Sequence, residues 1–225
     1  MSPERLLYAD ACVACVNKLP TELVEWNDSG ERPLAEDVRE FLAETGNDFV
    51  GIVHRLDRPT SGAVLFARSP ACLKELNRFL KEQHIAKTYW AVVDARPPAD
   101  EGRLEHYILH NRDLNKSYAV SHKRPGAKPA ALTYKLIAES DRYYLLEIDL
   151  HTGRHHQIRA QLHRIGCHIK GDLKYGSARS NRGGGIHLHA RRVVLPHPET
   201  GETIDLTAPA PDDSLWAFFE AAIDS

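Results

Sequence analysis

Strand-forming runs outnumber helical ones along this chain, and the two do not alternate regularly. Arg5–Tyr8 and Cys12–Asn17 flank a turn at Ala9-Asp10 and read as a hairpin. Phe49–Val53, Ala63–Ala67, Thr88–Val93, Leu104–Leu109, Ala130–Ile137, Tyr143–Leu150 and His187–Leu195 are further short apolar or alternating runs. Helical patterns are fewer. Pro33–Thr45 places Leu34, Val38, Phe41 and Leu42 on one face, with Gly46 as the stop. Ser69-Pro70 reads as an N-cap and first helical residue, ahead of a stripe of Leu73, Leu76, Phe79 and Leu80. His155–Ile165 ends at Gly166, and Leu215–Ile223 closes the chain. This order predicts an α+β architecture, a mixed sheet with helices packed on it, rather than a Rossmann or barrel pattern.

The 225 residues suffice for one medium domain with a proper core, and no repeat or long linker divides them. No apolar run approaches the roughly 18–20 residues needed to span a bilayer. Met1-Ser2-Pro3-Glu4-Arg5 lacks the regions of a signal peptide, so a cytoplasmic location is the default expectation. Cys12 and Cys15 form a C-x-x-C with no second pair at zinc-site spacing. Their setting, Ala11–Val16, reads as a buried strand in which cysteine acts as a small hydrophobe.

The net charge of −2 conceals an asymmetry. Residues 1–50 carry 4 Lys/Arg against 11 Asp/Glu, and residues 199–225 carry none against 7. Residues 151–198 carry 9 Lys/Arg against Asp172 alone. Such a region is either the footprint of a polyanion binder or a scattered solvated surface. The polar stretch 111–129, with Lys116, Lys123, Arg124 and Lys128, reads as a loop or loose hairpin facing a partner.

Three strings carry candidate chemistry. In His54-Arg55-Leu56-Asp57-Arg58-Pro59-Thr60-Ser61-Gly62 a carboxylate stands between two arginines, whose charge favours its ionised form. The turn residues after it suggest a loop able to present a reactive side chain. Leu150–Arg159 reads as a strand end, a turn at Thr152-Gly153 and a basic helix start, where free N–H groups with Arg154 and Arg159 suit a phosphate or carboxylate. Lys87–Val93 is a strand whose Tyr89 and Trp90 face opposite sides, one for the core and one available to a base.

The first string closely resembles the H-R-L-D-x-x-T-S-G signature of the RluA-type pseudouridine synthases, in which the aspartate is catalytic. Thr152–Arg159 is similar to the family's T-G-R-x-H-Q-I/L-R motif, and Lys87-Thr88-Tyr89-Trp90-Ala91 to its K-x-Y-x-A motif. Asn17-Lys18, Lys170–Gly176 and Leu188-His189-Ala190 extend the likeness over about residues 6 to 210. The sequence departs from the family pattern at Leu19-Pro20 and at His155, where Pro alone and Thr or Ser are usual.

The resemblance implies the family's catalytic fold, α+β with a mixed, largely antiparallel sheet and flanking helices. It implies a single domain over 1–225 without an S4 domain. It makes Asp57 the catalytic residue, Arg159 its pairing partner and Tyr89 the ring that packs on the target uracil. Arg55 would fill the space left by a flipped base, and Arg58, Arg154, His156 and Lys174 would contact RNA. The expected activity is isomerisation of uridine to pseudouridine in a tRNA or large-subunit rRNA stem-loop, without cofactor or metal. Asp57 would act as nucleophile or as base. A monomer is expected, since no long apolar exposed helix face is evident. The rival readings are a catalytically silent RNA-binding relative and a metal-dependent hydrolase. The latter would draw on His151, His155, His156, His187 and His189, whose spacing matches no zinc pattern.

Overall fold

The computed structural model describes residues 1–43 and 46–223. Its strands are β1 (Leu6–Ala9), β2 (Val13–Lys18), β3 (Gly51–Ile52), β4 (Ser61–Ala67), β5 (Ala86–Val93), β6 (Glu101–Asn111), β7 (Lys116–Val120), β8 (Lys128–Glu139), β9 (Tyr144–Leu150), β10 (Leu188–Pro196) and β11 (Thr203–Thr207). Its helices are α1 (Leu34–Ala43), α2 (Pro70–Lys81), α3 (Gln157–Arg164) and α4 (Ser214–Ile223). The strand pairing is mostly antiparallel, so the α+β class read from the sequence holds. The predicted end of the first helix at Glu44-Thr45 lies outside the described residues.

The chain gathers into two compact units: residues 1–87 with 190–210, and residues 88–189 with 211–225. In the first, the strand order is β1-β2-β4-β10, with β3 also on β4 and β11 on β10. Every residue of β4 is buried, which is why Ser61–Ala67 reads as a continuous small and apolar run rather than an alternating one. Against this sheet α2 lays Cys72, Leu76 and Phe79, with Leu73 and Leu80 partly buried beside them. Its start is the expected one: the Ser69 hydroxyl accepts the Cys72 N–H at 3.1 Å, and Pro70 occupies the first turn, where no N–H partner is needed. Burying each Leu or Phe of this face stabilises by about 1.5–3 kcal/mol.

One expectation is corrected here. Cys12 is not a lone small hydrophobe; it forms a disulfide with Cys72 across 60 residues of sequence. That separation leaves no local pattern, so the C-x-x-C spacing draws the eye to the wrong partner. Cys15 stays a free buried thiol, and burial pushes its pKa up to about 12.

The second unit has the strand order β5-β9-β8-β6-β7. The stretch read as a loop or loose hairpin contains β7, which closes on β6 with Asn111 opposite Lys116. The Asn111 side chain accepts the Leu114 N–H at 3.0 Å, and Asn115 takes a positive φ of 43°, as asparagine tolerates. Helix α3 begins two residues later than expected, because His156 adopts a left-handed φ of 51° and stands as its N-cap. Leu162 of α3 and Leu132, Leu145, Leu146 and Ile148 of the sheet are all fully buried. Helix α4 is capped by Asp213, whose carboxylate accepts the Leu215 N–H at 2.9 Å.

Gly62 is dictated by the fold. Its φ is +115°, and a β-carbon there would lie 2.3 Å from the carbonyl oxygen of Ala190. Gly62→Ala is therefore expected to destabilise the protein by about 3 kcal/mol, from backbone strain and overpacking together. Urea unfolding of the two proteins checks this, and an unchanged midpoint would contradict it.

Candidate functional site

The Asp57 loop, residues 53–60, links β3 to β4 in the first unit. It is tied down from below by Lys18 at the end of β2. That lysine is fully buried, and its Nζ donates to the carbonyls of Leu19 (2.9 Å), Arg58 (3.0 Å) and Thr60 (2.6 Å). A turn follows Asp57, with the Thr60 N–H on the Asp57 carbonyl at 3.0 Å. Thr21 adds two bonds, its N–H to the Arg58 carbonyl at 2.8 Å and its own carbonyl to Arg58 Nε at 3.0 Å. The peptide groups after Asp57 are thus fixed, while Asp57 itself is only half-buried.

On the other side of Asp57, His54 Nε2 accepts the Leu65 N–H at 3.2 Å. That bond requires a neutral ring protonated at Nδ1. Burial, helped by the charge of Lys87, pushes its pKa down to about 3. Arg55 and Arg58 are exposed, and their guanidinium groups meet carboxylates: Arg55 pairs with Glu25, and Arg58 with Glu31 at 2.7 Å. Both glutamates are remote from their arginines in the sequence, 30 and 27 positions away.

In the second unit, Tyr89 and Trp90 lie side by side on β5 and both are buried, at 6% and 7% exposure. The alternation rule had left one of them open. It fails because β5 is covered on more than one face: Trp90 stacks on Trp216 of α4 at 6.5 Å between centroids, and its Nε1 donates to Glu147 at 3.4 Å.

Arg159 on α3 is buried and holds Asp172 in a two-pronged pair, Nε to Oδ2 at 2.6 Å and an Nη to Oδ1 at 2.9 Å. Its guanidinium carbon also lies 4.9 Å from the centre of the Tyr175 ring. The Tyr175 hydroxyl accepts the Ser117 N–H at 2.8 Å, donates to the Ser117 carbonyl at 3.1 Å and lies 3.0 Å from His156 Nδ1. Motif reading placed Asp172 inside Lys170–Gly176 but gave it no pairing with Arg159. A signal was present, since it is the lone acid among nine bases in residues 151–198.

The turn expected to offer free N–H groups is largely self-satisfied. Gln157 Oε1 accepts both the Thr152 hydroxyl (2.7 Å) and the Arg154 N–H (3.0 Å), and Gln157 Nε2 donates to the Ala131 carbonyl (3.1 Å). Arg154 is half-buried with Nε on the Pro129 carbonyl at 3.0 Å. His156 is buried, and burial with the nearby Arg159 charge holds its pKa well below the usual range. It is a neutral strut for Tyr175 rather than an exposed cation for RNA. Lys174 is exposed and donates to the Asn115 carbonyl at 2.9 Å.

The histidines considered as metal ligands have other engagements. His155 Nδ1 is 2.8 Å from the Ser117 hydroxyl, and His187 Nε2 is 3.0 Å from Asp213. Among the described residues, one trio of candidate metal ligands comes together, Cys12, Cys72 and Glu199, and its two sulfurs are joined in the disulfide. No described helix is long and apolar enough to cross a membrane.

Residues 13–164 match the family model of the RNA pseudouridylate synthases. The chain belongs to this family. An uncharacterized RNA pseudouridine synthase of Chloroflexus aurantiacus is 38% identical over 178 residues, covering 76% of this chain and 54% of that protein. The tRNA pseudouridine synthase C of Yersinia pestis is 35% identical over 230 residues, covering 90% and 85%. The ribosomal large subunit pseudouridine synthase D of Neisseria meningitidis serogroup A is 34% identical over 190 residues, covering 78% and 50%. The chain thus spans about half the length of two of these relatives and most of the third. Among solved structures, human RNA pseudouridylate synthase domain containing 4 shares the fold, with a TM-score of 0.78 at 22% identity over 97% of this chain and 93% of that one. Asp57, Tyr89 and Arg159 lie inside the region matched by the pseudouridylate synthase model, and Asp172 and Tyr175 lie beyond its end.

Two expectations follow from this geometry. Asp172→Ala leaves the Arg159 guanidinium buried beside a missing counter-charge and is expected to cost about 3–5 kcal/mol. Thermal and urea unfolding measure it, and a loss under 1 kcal/mol would show that the pair does not hold α3. The second concerns acid. His54 binds its proton at about pH 3 when folded, against 6.5 for the ordinary side chain. Between those values the unfolded chain takes up a proton that the folded chain refuses, so stability falls as pH drops through this window and is unaffected by this group above it. His54→Gln keeps an acceptor for the Leu65 N–H and removes the titration. Its stability is expected to decline less steeply than wild type from pH 6.5 to 4, and parallel curves would refute the assignment.

Proposed function

We propose that this chain isomerises uridine to pseudouridine in structured RNA and that Asp57 carries the reaction. The observation that carries the reading is the fixed loop: buried Lys18 holds the Arg58 and Thr60 carbonyls, and the half-buried Asp57 carboxylate stands between two exposed arginines. The reaction breaks the bond from uracil N1 to ribose C1′, turns the base and forms a bond from C5 to C1′. The proton on C5 leaves and N1 gains one, so no redox change or energy input is involved. Asp57 serves either by attacking the sugar or by removing a ribose proton, and a positioned carboxylate performs both kinds of step.

The family pattern gives Tyr89 the task of packing on the uracil and Arg159 that of orienting the carboxylate, from its own fixed setting on Asp172. A target uridine in a stem-loop leaves its stack at a cost of a few kcal/mol, and Arg55 suits the vacated space. Arg58, Arg154 and Lys174 hold phosphates, which positions the RNA without reading its sequence. The names of the relatives span tRNA and large-subunit rRNA enzymes, and the substrate proposed here is a stem-loop of that general kind.

Conversion expels the C5 hydrogen, so tritium release from [5-³H]uridine RNA reports it directly. Wild type is expected to release tritium from total tRNA or rRNA transcripts, and Asp57→Asn to release none while still binding RNA. Release undiminished in the variant would remove Asp57 from the chemistry. Binding without release by wild type would favour a silent RNA-binding relative.

A further inference from the structure

Residues 19–31 contain Glu22, Glu25, Asp28 and Glu31 and no lysine or arginine. This acidic segment is attached to the Asp57 loop by the Thr21 N–H on the Arg58 carbonyl and the Arg58 Nε on the Thr21 carbonyl, and its Leu19 carbonyl shares Lys18 with the loop. Glu22 is itself fixed, accepting the Leu19 N–H at 2.9 Å and pairing with Arg5. From this anchored base Glu25 reaches Arg55 and Glu31 reaches Arg58. The four paired side chains are 42–64% exposed. A carboxylate and a phosphate oxygen are both anionic acceptors for a guanidinium, so a glutamate held there competes with an RNA phosphate for it. Because the glutamates are tethered to the loop, the competitor is present at a fixed local concentration.

We propose that Glu25 and Glu31 set the affinity of this enzyme for RNA. In the free protein they occupy the arginines on either side of Asp57, and an incoming RNA displaces them. The glutamates return as the RNA leaves, so substrate and product are loosened alike. This inference rests on the RNA-isomerase reading above.

The test is fluorescence anisotropy with a labelled RNA stem-loop carrying uridine, and with the same stem-loop carrying pseudouridine, across a salt series. Glu25→Gln/Glu31→Gln is expected to bind both RNAs about 3- to 10-fold more tightly, since exposed pairs of this kind are weak individually. Its affinity is expected to fall more steeply with salt, as the two arginines are uncompensated before binding. Glu75→Gln/Glu82→Gln removes the same charge from the partners of Arg78 on α2 and is expected to leave binding within twofold of wild type. In an Arg55→Gln/Arg58→Gln background the gain is expected to vanish. No tightening overturns the proposal, as does tightening that survives loss of the arginines or is matched by the α2 variant. If folded wild type binds neither stem-loop nor total tRNA and rRNA, the RNA reading fails and this proposal falls with it. If wild type binds and Arg55→Gln/Arg58→Gln binds equally well, the RNA reading stands and only the role given to these arginines and glutamates is lost.

Discussion

A buried ammonium is the point from which the Asp57 loop hangs. Lys18 has lost all contact with solvent, and burial drives its pKa down to about 7 even though Glu22 and Asp57 pull it upward. A methionine there would bury more comfortably, but it would take one donor from each of the carbonyls of Leu19, Arg58 and Thr60. An ammonium has three protons and these carbonyls are three acceptors, so the geometry suits the charged form. The consequence runs along the chain: β2 fixes Lys18, Lys18 fixes the peptides after Asp57, and Gly62 lets β4 leave the loop against the Ala190 backbone.

The second unit uses a different device for a similar end. Arg159 is locked by a carboxylate on both prongs, and the ring beneath it, Tyr175, is locked through Ser117 and His156. Each buried polar group in this chain of contacts has a partner, which is the condition under which such networks rigidify a site rather than weaken it. His156 shows the cost of reading charge from residue type. Its left-handed backbone turns the ring inward, where desolvation keeps it neutral.

The legible parts of the fold were those whose signals are local. The apolar stripe and the Ser69-Pro70 start defined α2, and the continuous run defined β4. The parts that escaped depend on distant partners. Cys72 lies 60 residues from Cys12. Glu25 and Glu31 sit about 30 positions from the arginines they bind. The covering of Trp90 comes from a terminal helix whose docking face is not written in β5. Alternation along a strand tells which residues share a side; it is silent on whether that side is later covered. Asp172 was the intermediate case, visible as an anomaly of charge but interpretable only once Arg159 was seen opposite it.

The arginines of this chain fall into two thermodynamic classes, and the division bears on how a protein of net charge −2 handles a polyanion. Arg159 and Asp172 are both nearly inaccessible, so separating them would strand a charge in a medium that solvates it poorly. That pair is permanent. The Arg55–Glu25 and Arg58–Glu31 pairs stand in water, where the ions lose little solvation on pairing and little energy on parting. They exchange partners readily, and salt screens whichever partner they hold. Overall charge is therefore a poor guide to what the chain binds. What matters is which cations stand in water and can be released, and here two exposed arginines of that kind flank Asp57 on its fixed loop.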